Sequence, residues 1–150
     1  MMLVREAMTP HAEWITPDIS LAEVARRMRD NAIGCLPVGE NDRLIGMITD
    51  RDLVCRGVAE GLDCNADKAH QVMTRGITWC FEDESVDDAL ARMEEKQIHH
   101  MPVLSRQKRI IGILSLSDLA LRGPRNLSAK VFTLAARDAR LHASGSTARH

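Results

Sequence analysis

A hydroxyl followed three positions later by an aspartate closes two apolar runs. Thr49 and Asp52 end "GMITDRDL" (residues 46–53), and Ser115 and Asp118 end "GILSLSDL" (residues 112–119). Where a strand passes into a helix, free N–H groups and the positive end of the helix dipole favour a phosphate. The hydroxyl adds one more donor there, and Arg51 adds a charge that phosphate pairs with well. The aspartate repels phosphate but can accept both hydroxyls of a ribose. Gly46 and Gly112, each three residues before the hydroxyl, leave room for a flat base to approach the backbone. One short segment could thus hold phosphate, sugar and base. The same residues also spell a capping box, in which hydroxyl and acid satisfy backbone donors at a helix start. A single copy favours the capping box; recurrence in register favours the ligand site.

The recurrence extends along the chain. Met73 follows Met8 by 65 positions, and the same offset relates Trp14 to Trp79, Asp18 to Asp83, Ser20 to Ser85, Met28 to Met93, Ile33 to Ile98, Pro37 to Pro102 and Val38 to Val103. After one inserted residue, an offset of 66 relates Gly46 to Gly112, Thr49 to Ser115, Asp52 to Asp118 and Leu53 to Leu119. The chain is two copies of one unit, followed by a non-repeated end. Each copy predicts strand, helix, strand, strand, helix. "EWIT" and "TWCF" have the β-branched and aromatic residues of short strands. Leu21, Val24, Ala25 and Met28, like Val86, Ala89, Leu90 and Met93, have helical spacing. Ser20 or Asp18, and Ser85 or Asp83, can cap these helices. "GCLPV" and "HHMPV" predict strands, with each proline arguing for an edge or a strand end. "ENDR" and "SRQKR" predict hairpin turns, and "RLIGMIT" and "RIIGILS" buried strands running into a last helix. A copy this small needs the other to cover its sheet.

These motifs, "VREAMT…SLAEVARRM…IGCLPV…RLIGMITDRDL" and "AHQVMT…SVDDALARM…IHHMPV…RIIGILSLSDL", resemble a tandem pair of CBS domains, the cystathionine β-synthase type of regulatory module. The resemblance runs from about Val4 to Arg122 and is to stand-alone Bateman modules, with helical "LVCRGVAEGLD" between the copies. It implies an α/β (α+β) fold of two β-α-β-β-α repeats packed with pseudo-twofold symmetry. Residues 1–63 form the first repeat, 64–124 the second, and 125–150 a C-terminal amphipathic helix and mobile tail. It further implies an adenosine ligand (AMP, ADP, ATP, S-adenosylmethionine or NAD) in clefts between the paired domains, and a homodimer. On the matching positions, Thr49 and Ser115 would hold phosphate, and Asp52 and Asp118 ribose. Leu36, Pro37, Met101 and Pro102 would flank the base, and Thr16 would line the site. The copies differ: Phe81 replaces Thr16, and Ser117 replaces Arg51, so the two sites are not expected to be equivalent.

Composition narrows the alternatives. The net charge is −1, with both signs mixed throughout, unlike the clustered basic face of a nucleic-acid binder. No apolar run is long enough to span a bilayer, and the first residues do not read as a secretory signal, so the expected compartment is the cytoplasm. Cys35, Cys55, Cys64 and Cys80 form no Cys-x-x-Cys pair, and reduced thiols are expected there. His99 and His100 are adjacent and would point to opposite faces of a strand, which disfavours a shared metal ion. Cys64 and His70 are a weaker metal pair, and no metal site is assigned. No catalytic constellation is legible. The expected function is therefore regulatory and non-enzymatic, acting on an unidentified partner protein. The alternatives are a structural or interaction module with empty sites, or a metal or redox sensor. After "GP" at residues 123–124, Leu127, Val131, Leu134 and Ala135 predict an amphipathic helix that needs a groove on its own chain or on a partner. "SGSTARH" reads as a mobile end.

Overall fold

The structure is a computed structural model and describes residues 1–147. In chain order the elements are α1 (Val4–Ala7), β1 (Thr9–Pro10), α2 (Leu21–Asn31), β2 (Cys35–Glu40), β3 (Arg43–Thr49) and α3 (Asp50–Asp52). After α3 a π-helical turn runs over Leu53–Val58. Then come β4 (Cys80–Phe81), α4 (Val86–Lys96), β5 (His100–Leu104), β6 (Ile110–Ser115), α5 (Leu116–Arg122) and α6 (Ser128–Thr147). The fold is mixed α/β. Among the described residues no helix is long and apolar enough to cross a membrane.

The chain divides into two compact units that do not follow the order of the repeats. One comprises Ala12–Ile77 with Ser105–Ile110; the other comprises Met1–His11, Thr78–Leu104 and the chain from Ile111 onward. The "Met-Thr" segment that opens each copy is the reason, because it packs on the last strand of the other copy. In the Ala12–Ile77 unit, Met47 and Thr74 exchange backbone hydrogen bonds of 3.0 and 2.9 Å. In the other unit, Thr9 and Pro10 pair antiparallel with Ile113 and Gly112. Repetition in sequence does not reveal such an exchange, since it leaves each copy's own pattern unchanged.

In the Ala12–Ile77 unit, β2 and β3 form an antiparallel hairpin from Cys35↔Thr49 to Glu40↔Arg43. Its turn residues Asn41 and Asp42 have φ of 52° and 64°, the left-handed pair that a tight hairpin requires. Ile15, Leu21, Val24, Leu36, Val38 and Ile48 build the core with Ala69, Val72 and Met73. In the other unit the strand order is β1-β6-β5-β4, and Val86, Leu90, Met93, Met101, Val103 and Leu114 are central to the core. The expected "EWIT" strand shrinks to one parallel bridge, Ile15↔Val38. Pro102 marks no edge, since it lies in β5, an interior strand; Pro37 lies in the middle of β2, which as one of two strands in its sheet is an edge, as expected. The Pro37 carbonyl accepts from Ile15 N–H at 2.9 Å. The proline nitrogen faces the same side, so it ends the parallel pairing there without leaving an orphan donor.

The main helices are capped as their sequences suggest, with Ser20 accepting from Glu23 N–H and Ser85 from Asp88 N–H. Both end on a left-handed residue other than glycine: Ala32 (φ 52°) and Gln97 (φ 53°). That conformation costs an L-residue about 1–2 kcal/mol, partly offset when glycine is substituted by its freer unfolded chain, about 0.4–1 kcal/mol. Ala32→Gly is therefore expected to stabilise the protein by about 0.5–1 kcal/mol, read as a rise of about 2–4 °C in Tm per kcal/mol. A lower Tm would refute it.

The expected C-terminal helix forms and packs on its own chain, with Val131 and Leu134, and Leu127 from the turn before it, in the core; Ala135, expected on the same face, is exposed. It continues to Thr147, beyond where composition predicts a mobile end. Weak helix formers can extend a helix already nucleated by packing. The rest of that expectation, residues 148–150, lies outside the described residues.

Candidate functional site

Both hydroxyl–aspartate pairs stand at strand-to-helix junctions, and both are built as capping boxes. In the first repeat, Asp52 N–H donates to Thr49 Oγ1 at 3.1 Å and Thr49 N–H donates to Asp52 Oδ2 at 2.9 Å. In the second, Asp118 N–H donates to Ser115 Oγ at 3.0 Å and Ser115 N–H to Asp118 Oδ2 at 2.9 Å. The next residue is tied to the start of the Leu-Pro-Val or Met-Pro-Val strand. Asp50 N–H donates to the Gly34 carbonyl at 2.9 Å, and Leu116 N–H to the His99 carbonyl at 3.0 Å. Each clasp is thus fixed to the strand entry beside it.

Two expectations about these junctions are corrected. The amides expected to await a phosphate in the first repeat are already engaged. Those of Thr49, Asp50 and Asp52 are bonded as above, and Arg51 N–H donates to Asp50 Oδ1 at 2.8 Å. What remains there for a phosphate is the Thr49 hydroxyl proton and the exposed Arg51 guanidinium. The room at the two glycines is also occupied. A Cβ on Gly46 would lie 2.9 Å from the Thr74 carbonyl oxygen and 2.9 Å from Met73 Sδ, and one on Gly112 would lie 2.7 Å from the Thr9 carbonyl oxygen. Glycine is required because the exchanged "Met-Thr" segment crosses there, not because a base does.

The aspartates differ in how far they are committed. Arg56 and Arg122 occupy equivalent positions, one turn after each aspartate. Arg56 Nε stands 3.9 Å from Asp52 Oδ1, while its Nη1 reaches the Val72 and Met73 carbonyls at 3.3 and 3.4 Å. Arg122 instead hydrogen-bonds Asp118 Oδ1 directly and donates from Nε to the Ala7 carbonyl at 3.0 Å. Thr9 Oγ1 adds a third donor to Asp118, also on Oδ1, at 3.0 Å. Asp118 is buried, at 7% exposure, and Asp52 is half-buried. Sequence reading passed over Thr9, Arg56 and Arg122. The signal for the arginines was present: the repeat's own offset superposes Arg56-Gly57 on Arg122-Gly123.

The other expected residues fall as follows. Leu36 and Met101 are fully buried, with Pro37 and Pro102 buried beside them, so the rigid strand backbone is what these positions present. The Thr16 hydroxyl donates to Asp18 Oδ1 at 2.6 Å, which holds the Asp18 carboxyl below the usual carboxylate range. Phe81, its counterpart, stacks edge-on against Trp79 with ring centroids 4.8 Å apart. Ser117 is exposed. Among the described residues, no group of three or more His, Cys, Asp or Glu side chains could hold a metal ion.

The thiols separate by environment. Cys35 and Cys80 are buried and Cys55 is exposed. Burial, reinforced by nearby Glu84, pushes the Cys80 thiol up to about 12, so it carries almost no reactive thiolate at neutral pH. Under native conditions a disulfide reagent such as DTNB is expected to titrate Cys55 first, and Cys35 and Cys80 only on unfolding. Rapid native labelling of Cys80 would contradict this.

With this geometry in place, comparison with known proteins assigns the class. The family model for the CBS domain matches residues 4–56 and 69–123. The chain belongs to the CBS domain family, as a tandem pair. Hypoxic response protein 1 of Mycobacterium tuberculosis is 35% identical over 127 residues, covering 84% of this chain and 88% of that protein. The crystal structure of Hypoxic Response Protein I with two coordinated zinc ions matches with a TM-score of 0.75 at 35% identity, over 82% of this chain and 100% of that one. The CBS domain pair of protein MJ0100, in complex with 5′-methylthioadenosine and S-adenosylmethionine, matches with a TM-score of 0.72 at 26% identity, over 81% and 94% of the two chains.

Proposed function

We propose that this chain is a non-enzymatic regulatory module that binds an adenosine compound, with Asp52 as the principal ribose acceptor. The observation that carries this reading is the state of Asp52. A carboxylate offers about four lone-pair sites, and the hydrogen bond from Thr49 N–H takes one of them. A ribose diol needs two. Thr49 Oγ1, already an acceptor, still has its proton to donate, and the exposed Arg51 can pair with a phosphate. Thr16, Leu36 and Pro37 complete the proposed first site. Ser115, Asp118, Met101 and Pro102 form the proposed second site, where Ser117 in place of Arg51 favours a less charged ligand. The candidates are AMP, ADP, ATP, S-adenosylmethionine and NAD. The related MJ0100 pair, which holds two adenosyl compounds, supports this class of ligand.

The sequence repeats, residues 1–63 and 64–124, are the units in which the two sites are written, with residues 125–150 appended. A ligand that binds one conformation of the pair more tightly shifts the population toward it, and a partner protein reads that shift. We further propose a homodimer in the cytoplasm.

Thermal-shift measurements with each adenosine compound, set against zinc, test the reading. A ligand at 100 times its Kd stabilises the folded state by about 2.7 kcal/mol. The expected result is a clear rise in Tm with at least one adenosine compound. A rise with zinc alone would favour a metal sensor, and no rise with any compound would favour an interaction module with empty sites.

A further inference from the structure

We propose that the second repeat's aspartate is closed by the chain's own N-terminal segment, and that an adenosine ligand reaches Asp118 only when Thr9 and Arg122 release it. The inference rests on the adenosine-binding reading and adds a gate to one of its two sites. Three donors already occupy the Asp118 carboxylate: Ser115 N–H on Oδ2, and Thr9 Oγ1 and Arg122 Nη2 on Oδ1. With about four lone-pair sites in all, at most one is left, and a ribose diol needs two. The backbone N–H of Ser115 is fixed at the strand end, so the bonds that can open are those of Thr9 and Arg122. Both side chains are exposed enough to be taken up by water: Thr9 is exposed, and the Arg122 side chain is 46% exposed.

Those two bonds also hold the end of the N-terminal segment. Arg122 Nε binds the Ala7 carbonyl, and His11 N–H donates to the Ile111 carbonyl at 2.9 Å. Upstream, Val4 and Ala7 are fully buried, and Val4 and Arg5 amides donate to the Glu84 and Glu82 carbonyls. The segment therefore has a firm anchor at residues 2–8, with Met8 in the core, and a latch at residues 9–11, where the side-chain bonds to Asp118 reinforce the short pairing with β6. Ligand binding at Asp118 opens the latch and leaves the anchor. The first repeat lacks this closure, since Arg56 stands 3.9 Å from Asp52.

Calorimetric titration with AMP and with S-adenosylmethionine tests the gate, using Asp52→Asn as the background that isolates the second site. Adding Arg122→Ala to that background is expected to tighten the residual binding about tenfold, the worth of one competing hydrogen bond removed. Thr9→Val, close to isosteric, is expected to act in the same direction and serves if the arginine variant folds poorly. In the parent, saturating ligand is expected to speed hydrogen exchange at the Thr9 and His11 amides while residues 4–5 stay protected. Unchanged or weaker binding in both variants, or unchanged or slower exchange at the Thr9 and His11 amides, overturns the gate while leaving adenosine binding intact. If neither the parent nor any variant binds either compound, the adenosine reading itself fails and the gate with it.

Discussion

Asp52→Asn is expected to weaken the binding of AMP ten- to a hundredfold while leaving the fold nearly untouched. The binding loss follows from replacing charge-assisted hydrogen bonds to the ribose, worth about 1.5–3 kcal/mol, which is one to two decades in Kd. The folding cost is small for two reasons. The amide oxygen of asparagine can still accept the Thr49 N–H that Asp52 accepts now. The ion pair that is lost joins Asp52 to an Arg56 side chain 3.9 Å away and 53% exposed, and exposed pairs contribute about 0–1 kcal/mol. Calorimetry and a thermal melt on the same preparation read both quantities. A variant that melts and binds like the parent would remove Asp52 from the site.

Asp118→Ala is expected to do the reverse, lowering stability by about 2 kcal/mol, or roughly 4–8 °C in Tm. The substitution removes the acceptor for Ser115 N–H and frees Thr9 and Arg122. The Ser115 cap itself survives, since residue 118 donates to it from its backbone N–H, but leaving the Ser115 N–H without its acceptor costs about 1 kcal/mol or more. The broken Arg122 contact adds less than a fully buried pair would, because that guanidinium is partly hydrated already. Asp52→Ala, with fewer bonds to lose, is expected to cost about half as much. Equal melting losses for the two alanine variants would contradict the different commitments of the two carboxylates.

These opposite expectations come from residues that a single reading of the motif treats alike. Thr49-x-x-Asp52 and Ser115-x-x-Asp118 were legible as a pair, and so were the helix caps at Ser20 and Ser85, because each is a local pattern with a fixed spacing. The hairpin at Asn41-Asp42 was legible for the same reason. The crossing of the "Met-Thr" segments was not. Thr9 meets Asp118 across 109 positions, and no periodicity carries that information. Once the crossing is known, Gly46 and Gly112 are explained by the backbone that passes over them. The π-helical turn at Leu53–Val58 was also hidden, since its counterpart Leu119 lies in an ordinary α-helix. Its register is seen in the bond from Ala59 N–H to the Val54 carbonyl at 2.8 Å. The chain diverges at this point: the second copy stops at Gly123 and Pro124, whereas the first runs on toward Leu62.

The most direct test of adenosine binding is calorimetric titration of the unmodified chain with AMP, ADP, ATP, S-adenosylmethionine and NAD in turn. The expected result is saturable binding of at least one of them, with the tighter site weakened about ten- to a hundredfold in Asp52→Asn. Absence of binding for all five at millimolar concentration, in protein that melts cooperatively, would contradict the assignment of this CBS pair as an adenosine-binding module.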